Sequence, residues 1–104
     1  MQDLEINARL TIPASELQWL FCRSSGAGGQ NVNKVESAVR LSWSVQESAC
    51  LGPFHCQRLL ERHRARLVNG CLVVSVSEER SQYQNRQIAL QRLAALIREG
   101  IQPL

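Results

Sequence analysis

The 104-residue sequence has no CxxC pair, no GxSxG turn, no apolar run of membrane-spanning length and a single lysine, Lys34. Each absence excludes something. Without roughly 18 or more consecutive apolar residues, no helix is expected to cross a bilayer. The opening MQDLEINARL starts acidic and carries no hydrophobic stretch of signal-peptide type, so the expected location is cytoplasmic, with no membrane partner. The four cysteines, Cys22, Cys50, Cys56 and Cys71, then read as reduced, mostly buried small hydrophobes rather than a disulfide framework. One group, Cys50, His55, Cys56 and His63, has the ligand types for a metal but fits no tetrahedral spacing, so no metal is expected. No other cofactor is implied.

Catalytic side chains are equally sparse. Ser24 and Ser25 have no GxSxG elbow around them, and the only histidines, His55 and His63, lie in or near one helical stretch. His63 falls on that helix's apolar stripe and reads as a packed core histidine. Glu78 and Glu79 are the only adjacent carboxylates in the second half. On an extended chain they diverge, which suits a solvated strand exit better than acid–base work.

What is present is arginine and a cluster of glycine. Eleven of the twelve basic residues are arginine, whose planar fork suits phosphate and base contacts. The charge is uneven: residues 1–50 carry four basic and five acidic side chains, and residues 51–104 carry eight and four. This tilts the chain toward RNA without requiring it, because arginines on solvated helix faces are common.

The length suits one domain with one modest core. Leu4, Ile6, Ala8, Leu10 and Ile12 alternate with polar residues as a strand does, up to Pro13. Ser15 and Glu16 suit a short turn. Leu17 to Arg23 (LQWLFCR) reads as a buried strand. Val39, Leu41, Trp43 and Val45 form a strand with one wet face. Gly52-Pro53 opens a helix whose stripe is Cys56, Leu59, Leu60, His63 and Leu67, and Asn69-Gly70 is expected to end it. Arg58, Arg62 and Arg66 lie off that stripe, open equally to RNA or to solvent. Cys71 to Val76 is a further strand. Leu90, Leu93, Ala94 and Ile97 mark a last helix, stopped by Gly100 and Pro103. The expected class is α+β: a small three-stranded sheet, four-stranded if the N-terminal segment adds an edge, packed on two helices in the order β-β-α-β-α. Trp19 and Trp43 then belong to core packing rather than base stacking.

The glycines concentrate in SSGAGGQNVNKVESAVRL, Ser24 to Leu41, with Gly26, Gly28 and Gly29 inside four positions. This is not a P-loop. Lys34 comes too late, no Ser or Thr follows it, and a strand rather than a helix comes next. A glycine-rich loop that holds no phosphate still lets backbone approach something closely. Ordering three glycines costs entropy, so the free loop is expected to be mobile.

The stretch closely resembles the signature of the catalytic domain of class I peptide-chain release factors, and still more their small codon-independent relatives, the peptidyl-tRNA hydrolase-type ribosome rescue factors. A second element, Glu79-Arg80-Ser81-Gln82 followed by Asn85-Arg86, is similar to the family's RSQ-x-x-N element. The resemblance spans roughly residues 12–97. It implies hydrolysis of the peptidyl-tRNA ester in the ribosomal peptidyl-transferase centre, releasing nascent peptide from stalled ribosomes. Gly28, Gly29 and Gln30 would be the catalytic residues. Arg23, Lys34, Arg80 and Arg86 would contact large-subunit ribosomal RNA or the P-site peptidyl-tRNA, while Ser81, Gln82 and Asn85 would brace the loop base or the start of the last helix. The free protein would be a monomer. The rescue factors also carry a basic C-terminal tail, and no basic run lies between Arg98 and Leu104; the expectation is one catalytic domain over residues 1–104, cut from a longer protein. The alternatives are a catalytically silent ribosome- or RNA-binding module and a free-standing nucleotide-binding domain.

Overall fold

The structure, a computed structural model, describes residues 2–22 and 37–102. Five strands and two helices follow one another as β1 (Leu4–Asn7), β2 (Leu10–Ile12), β3 (Leu17–Cys22), β4 (Ala38–Ser44), α1 (Pro53–Arg62), β5 (Cys71–Val76) and α2 (Gln82–Ile101). A 3-10 turn at Ala14–Glu16 joins β2 to β3. The α+β class and the two helices are as expected. The main sheet has three antiparallel strands in the order β3-β4-β5, with β4 in the middle.

Its inner face is built by the strand period of two. Leu17, Trp19 and Phe21 on β3, Val39, Leu41 and Trp43 on β4, and Leu72, Val74 and Val76 on β5 all turn toward α2 and the core. From the long helix, Ala89, Leu90, Leu93, Ala94 and Ile97 meet them. On the sheet's other face Leu20, Arg40 and Ser75 are exposed. Strand β3 is therefore half-buried rather than fully buried, and Leu20 on it is 56% exposed.

Four details depart from the sequence-based expectation. The alternating stretch from Leu4 to Ile12 is not one strand but a hairpin, β1 with β2, forming a separate two-stranded sheet. Asn7 turns the chain by accepting the Arg9 N–H on its side-chain oxygen at 2.8 Å. Leu4, Ile6, Leu10 and Ile12 are all buried while Ala8 is exposed, so the alternation survives the turn and hides it.

Helix α1 also ends earlier than expected, at Arg62, with His63 as its C-cap. Asn69 and Gly70, with φ of 53° and 79°, make a two-residue hairpin turn instead. Val68 and Cys71 exchange both backbone hydrogen bonds across it, at 2.9 and 3.0 Å. Positive φ at both central residues is what an Asn-Gly hairpin supplies.

Gly100 does not stop α2 but lies inside it, buried against α1. A Cβ there would overlap Leu59 Cδ2 and press on the His63 ring. The glycine is a close-packing position between helices. His63 itself is buried and donates Nε2–H to the Leu96 carbonyl at 2.7 Å, as a packed histidine should.

The fourth departure concerns arginine. Arg58 and Arg62 are not merely solvated. They donate to the Ile101 and Glu99 carbonyls at 3.1 and 2.8 Å, satisfying the C-terminus of α2. Arg98 reaches the other way, to the Ile6 and Glu5 carbonyls at 2.6 and 3.3 Å, and ties α2 to β1.

Candidate functional site

The glycine-rich stretch lies between β3 and β4, which are paired up to Cys22 opposite Ala38. Gly28, Gly29 and Gln30, together with Arg23 and Lys34, lie outside the described residues, as does the expectation of loop mobility. What the structure describes is the frame from which that stretch leaves and to which it returns.

The return point is held by Asn85. This side chain is completely buried, three residues into α2. Its Nδ2 donates to the Ser37 carbonyl at 2.7 Å and to the Glu79 carbonyl at 2.9 Å. Its Oδ1 accepts the Glu79 N–H at 3.0 Å. One amide thus pairs three backbone groups, and 48 residues separate it from Ser37. An asparagine suits this task because it offers both donors and acceptors. An aspartate would set carboxylate oxygen against two carbonyl oxygens.

The helix that carries Asn85 starts at a built N-terminus. Ser81 is the N-cap, in extended conformation, and its hydroxyl accepts the Gln84 N–H at 3.2 Å. Its carbonyl accepts the Asn85 N–H at 3.0 Å. Gln82 is the first helical residue and half-buried. Ser81, Gln82 and Asn85 therefore sit together where β5, α2 and the start of β4 converge.

Of the basic candidates, Arg80 is exposed, just before the cap. Arg86 is half-buried, and its guanidinium carbon lies 5.8 Å from the Tyr83 ring centroid. Glu78 is turned to an exposed ion pair with Arg92, 2.7 Å, and Glu79 contributes its backbone rather than its carboxylate. No group of three metal-ligating side chains gathers among the described residues. Cys56 leans on the Val45 carbonyl at 3.6 Å and His63 is spent on Leu96.

At the sheet's opposite end stands a polar cluster that sequence reasoning missed. Glu16 accepts hydrogen bonds from Trp43 Nε1 at 3.0 Å and Ser48 Oγ at 2.6 Å, and from the Ala49 N–H at 2.9 Å. Cys50 Sγ approaches at 3.7 Å. Partial burial by itself would raise the carboxyl, but the donors from Ser48, Trp43, Ala49 and Cys50 outweigh it and hold the group below the ordinary glutamate value. The thiol of Cys50 is pushed up by burial, and by the neighbouring Glu16 charge, against a lowering hydrogen bond with Ser48. The cluster pins the β4–α1 connection to the turn before β3. Nothing in the local sequence marks it, because its members are 27 to 34 residues apart.

The family model for the RF-1 domain covers residues 4–103. The chain belongs to the RF-1 domain family. Among curated proteins it is 42% identical over 95 residues to peptidyl-tRNA hydrolase ArfB of Pseudomonas putida, covering 90% of this chain and 69% of that protein. It is 33% identical to large ribosomal subunit protein mL62 of Mus musculus, over 88% of this chain and 45% of that one. Peptide chain release factor 1 of Parabacteroides distasonis is 37% identical over 91% of this chain, which spans 20% of it. The resemblance read from the two sequence motifs and the family assignment coincide.

Proposed function

We propose that this RF-1 domain is a ribosome-dependent peptidyl-tRNA hydrolase that releases nascent peptide from stalled ribosomes without reading a codon. The observation that carries the reading is the Asn85 bridge: it joins the strand that follows the Gly28-Gly29-Gln30 stretch to the RSQ-x-x-N element. Two motifs far apart in sequence thus serve one object, the root of a loop.

The chemistry follows from what the chain has and lacks. With no serine–histidine hydrogen bond among the described residues, the catalytic contribution is read as positional. Gly28 and Gly29 carry no Cβ, so backbone can enter a crowded RNA pocket. The Gln30 N–H stabilises the oxyanion that forms as water attacks the ester carbonyl, and the Gln30 side chain shapes the water site. The RNA centre and the tRNA supply the proton path. Ser81 and Asn85 hold the root, with Gln82 beside them. Arg23, Lys34, Arg80 and Arg86 engage large-subunit RNA or peptidyl-tRNA phosphates and set the register of the domain rather than select a sequence. The protein acts as a monomer in the cytoplasm, and residues 1–104 form a single catalytic domain. No helix among the described residues is long and apolar enough to cross a membrane.

The test is release of labelled peptide from ribosomes that hold peptidyl-tRNA and have an empty A site. The chain is expected to release it. Gly29→Ala is expected to lower the rate by ~10²–10³ or more, with ribosome binding unchanged. Equal release by the variant would overturn the assignment. Binding by the parent without release at any concentration would favour a silent binding module, with affinity that falls steeply with salt.

A further inference from the structure

Among the described residues four large apolar side chains are exposed: Leu20, Phe54, Val68 and Tyr83. Phe54 lies under the Arg58 guanidinium, 4.4 Å from its ring centroid, and that arginine is bonded to the Ile101 carbonyl. Its setting is part of the α1–α2 contact. Tyr83 is different. It stands on the first turn of α2, 61% exposed, two residues before Asn85, which grips Ser37 at the loop root.

The surroundings of Tyr83 are polar and positive. Arg86 lies against its ring. Arg80 is exposed three residues before it and makes no hydrogen bond or ion pair with any described residue. Gln84 beside it is exposed, and Gln87, one turn on, is half-buried. A docking site for an apolar protein segment would need an apolar rim, and among the described residues the sequence neighbours of this ring that are exposed or half-buried, Arg80, Gln84, Arg86 and Gln87, are polar. A flat aromatic face with guanidinium groups around it fits a nucleobase with its phosphates. Every base offers a π-face to stack, and arginine adds both charge and planarity.

We propose that Tyr83 is a stacking platform for an unpaired RNA base at the root of the catalytic loop, with Arg80 and Arg86 taking the adjoining phosphates. This rests on the ribosomal reading above and adds a contact to it. In that role Tyr83 is a binding residue: it adds affinity for the ribosome and takes no part in the ester chemistry. The base is held by its face, so the site tolerates any of the four bases.

Binding of the 104-residue chain to ribosomes with peptidyl-tRNA and an empty A site tests this, run beside the release assay. Tyr83→Ala is expected to weaken binding and to raise KM roughly 5-fold to 150-fold, the usual span for losing one base–aromatic stack. Its kcat at saturation should match the parent and its melting temperature should stay close to it, because the ring is mostly exposed and outside the core. Tyr83→Phe should bind like the parent and Tyr83→Trp at least as well, since a stack needs a flat ring and not a hydroxyl. Unchanged affinity in Tyr83→Ala would overturn the proposal. So would a Tyr83→Trp variant as weak as Tyr83→Ala, which would mean a shaped protein pocket. Should the parent bind but release no peptide, the hydrolase reading falls while the affinities still decide the platform. A parent that does not bind ribosomes overturns both.

Discussion

The two ends of the three-stranded sheet treat their charged groups in opposite ways. At the end away from the glycine-rich stretch, charge is consumed internally. The Glu16 carboxylate takes Trp43, Ser48 and the Ala49 N–H. The nearby C-terminus of α2 receives Arg58 and Arg62, and Arg98 is spent on β1. At the loop-root end, one neutral amide, Asn85, does the internal bonding, and Arg80 and Tyr83 are left to solvent. The difference teaches that arginine content alone says little about RNA contact. Three arginines of this chain close the fold. Several others stay outward, Arg40, Arg64 and Arg66 among them, and of these outward arginines Arg80 lies within the motif that carries the family resemblance.

Substitutions at the two ends should separate these roles. The largest loss of stability is expected from Asn85→Ala. It leaves the buried Ser37 carbonyl and the part-buried Glu79 carbonyl and N–H unpaired, at about 3 kcal/mol in total. Chemical denaturation should show that loss, with peptide release falling below what the unfolded fraction explains, because the loop root is no longer tied. A variant as stable as the parent would break the comparison at its centre.

Next comes Glu16→Gln, expected to cost about 2 kcal/mol at neutral pH. The sign with pH follows from a folded-state value held below the ordinary one. The carboxylate's contribution is full above the unfolded value of about 4.3, and it is lost as pH falls through the lower folded value. The gap in melting temperature between parent and variant should therefore be widest near pH 7 and close under acid. A gap that persists there would assign the effect to shape rather than charge. Release at saturating concentration should be unaffected.

The smallest effects are the most discriminating. Arg62→Ala should cost about 0.5 kcal/mol of stability, since its bond to Glu99 is exposed, and should leave ribosome affinity alone. Arg80→Ala should do the reverse. It is expected to change stability by less than about 0.5 kcal/mol, but to lower the slope of log affinity against log salt by about one. If both variants shifted the salt slope equally, the two ends would not differ in function.

Much of this molecule is legible from the chain alone, and the reason is local. Period-two alternation placed Leu41 and Trp43 inside, and the helical stripe placed Leu59 and His63 inside, because burial follows the geometry of one element. The two motifs were legible because each concentrates its distinctive residue types in a few neighbouring positions. Asn69-Gly70 was misread although its signal was local, since the same pair that ends a helix also turns a hairpin. The Leu4 to Ile12 hairpin escaped because a short turn preserved the alternation on both sides.

What only the tertiary structure decided is where partners meet across long separations. The sequence by itself determined the α+β class, the inward faces of the main-sheet strands and of the last helix, and the two motifs. It was silent on Asn85 meeting Ser37, on Glu16 gathering Trp43, Ser48 and Ala49, and on Gly100 yielding to Leu59. Each is a contact between groups tens of residues apart, and half of the Asn85 bridge is backbone, which every residue type possesses. A hydrogen bond to a carbonyl leaves no mark on the residue that owns it. The division of arginines into those that close the fold and those that face outward is of the same kind, since the side chain is identical and only the neighbouring carbonyls differ.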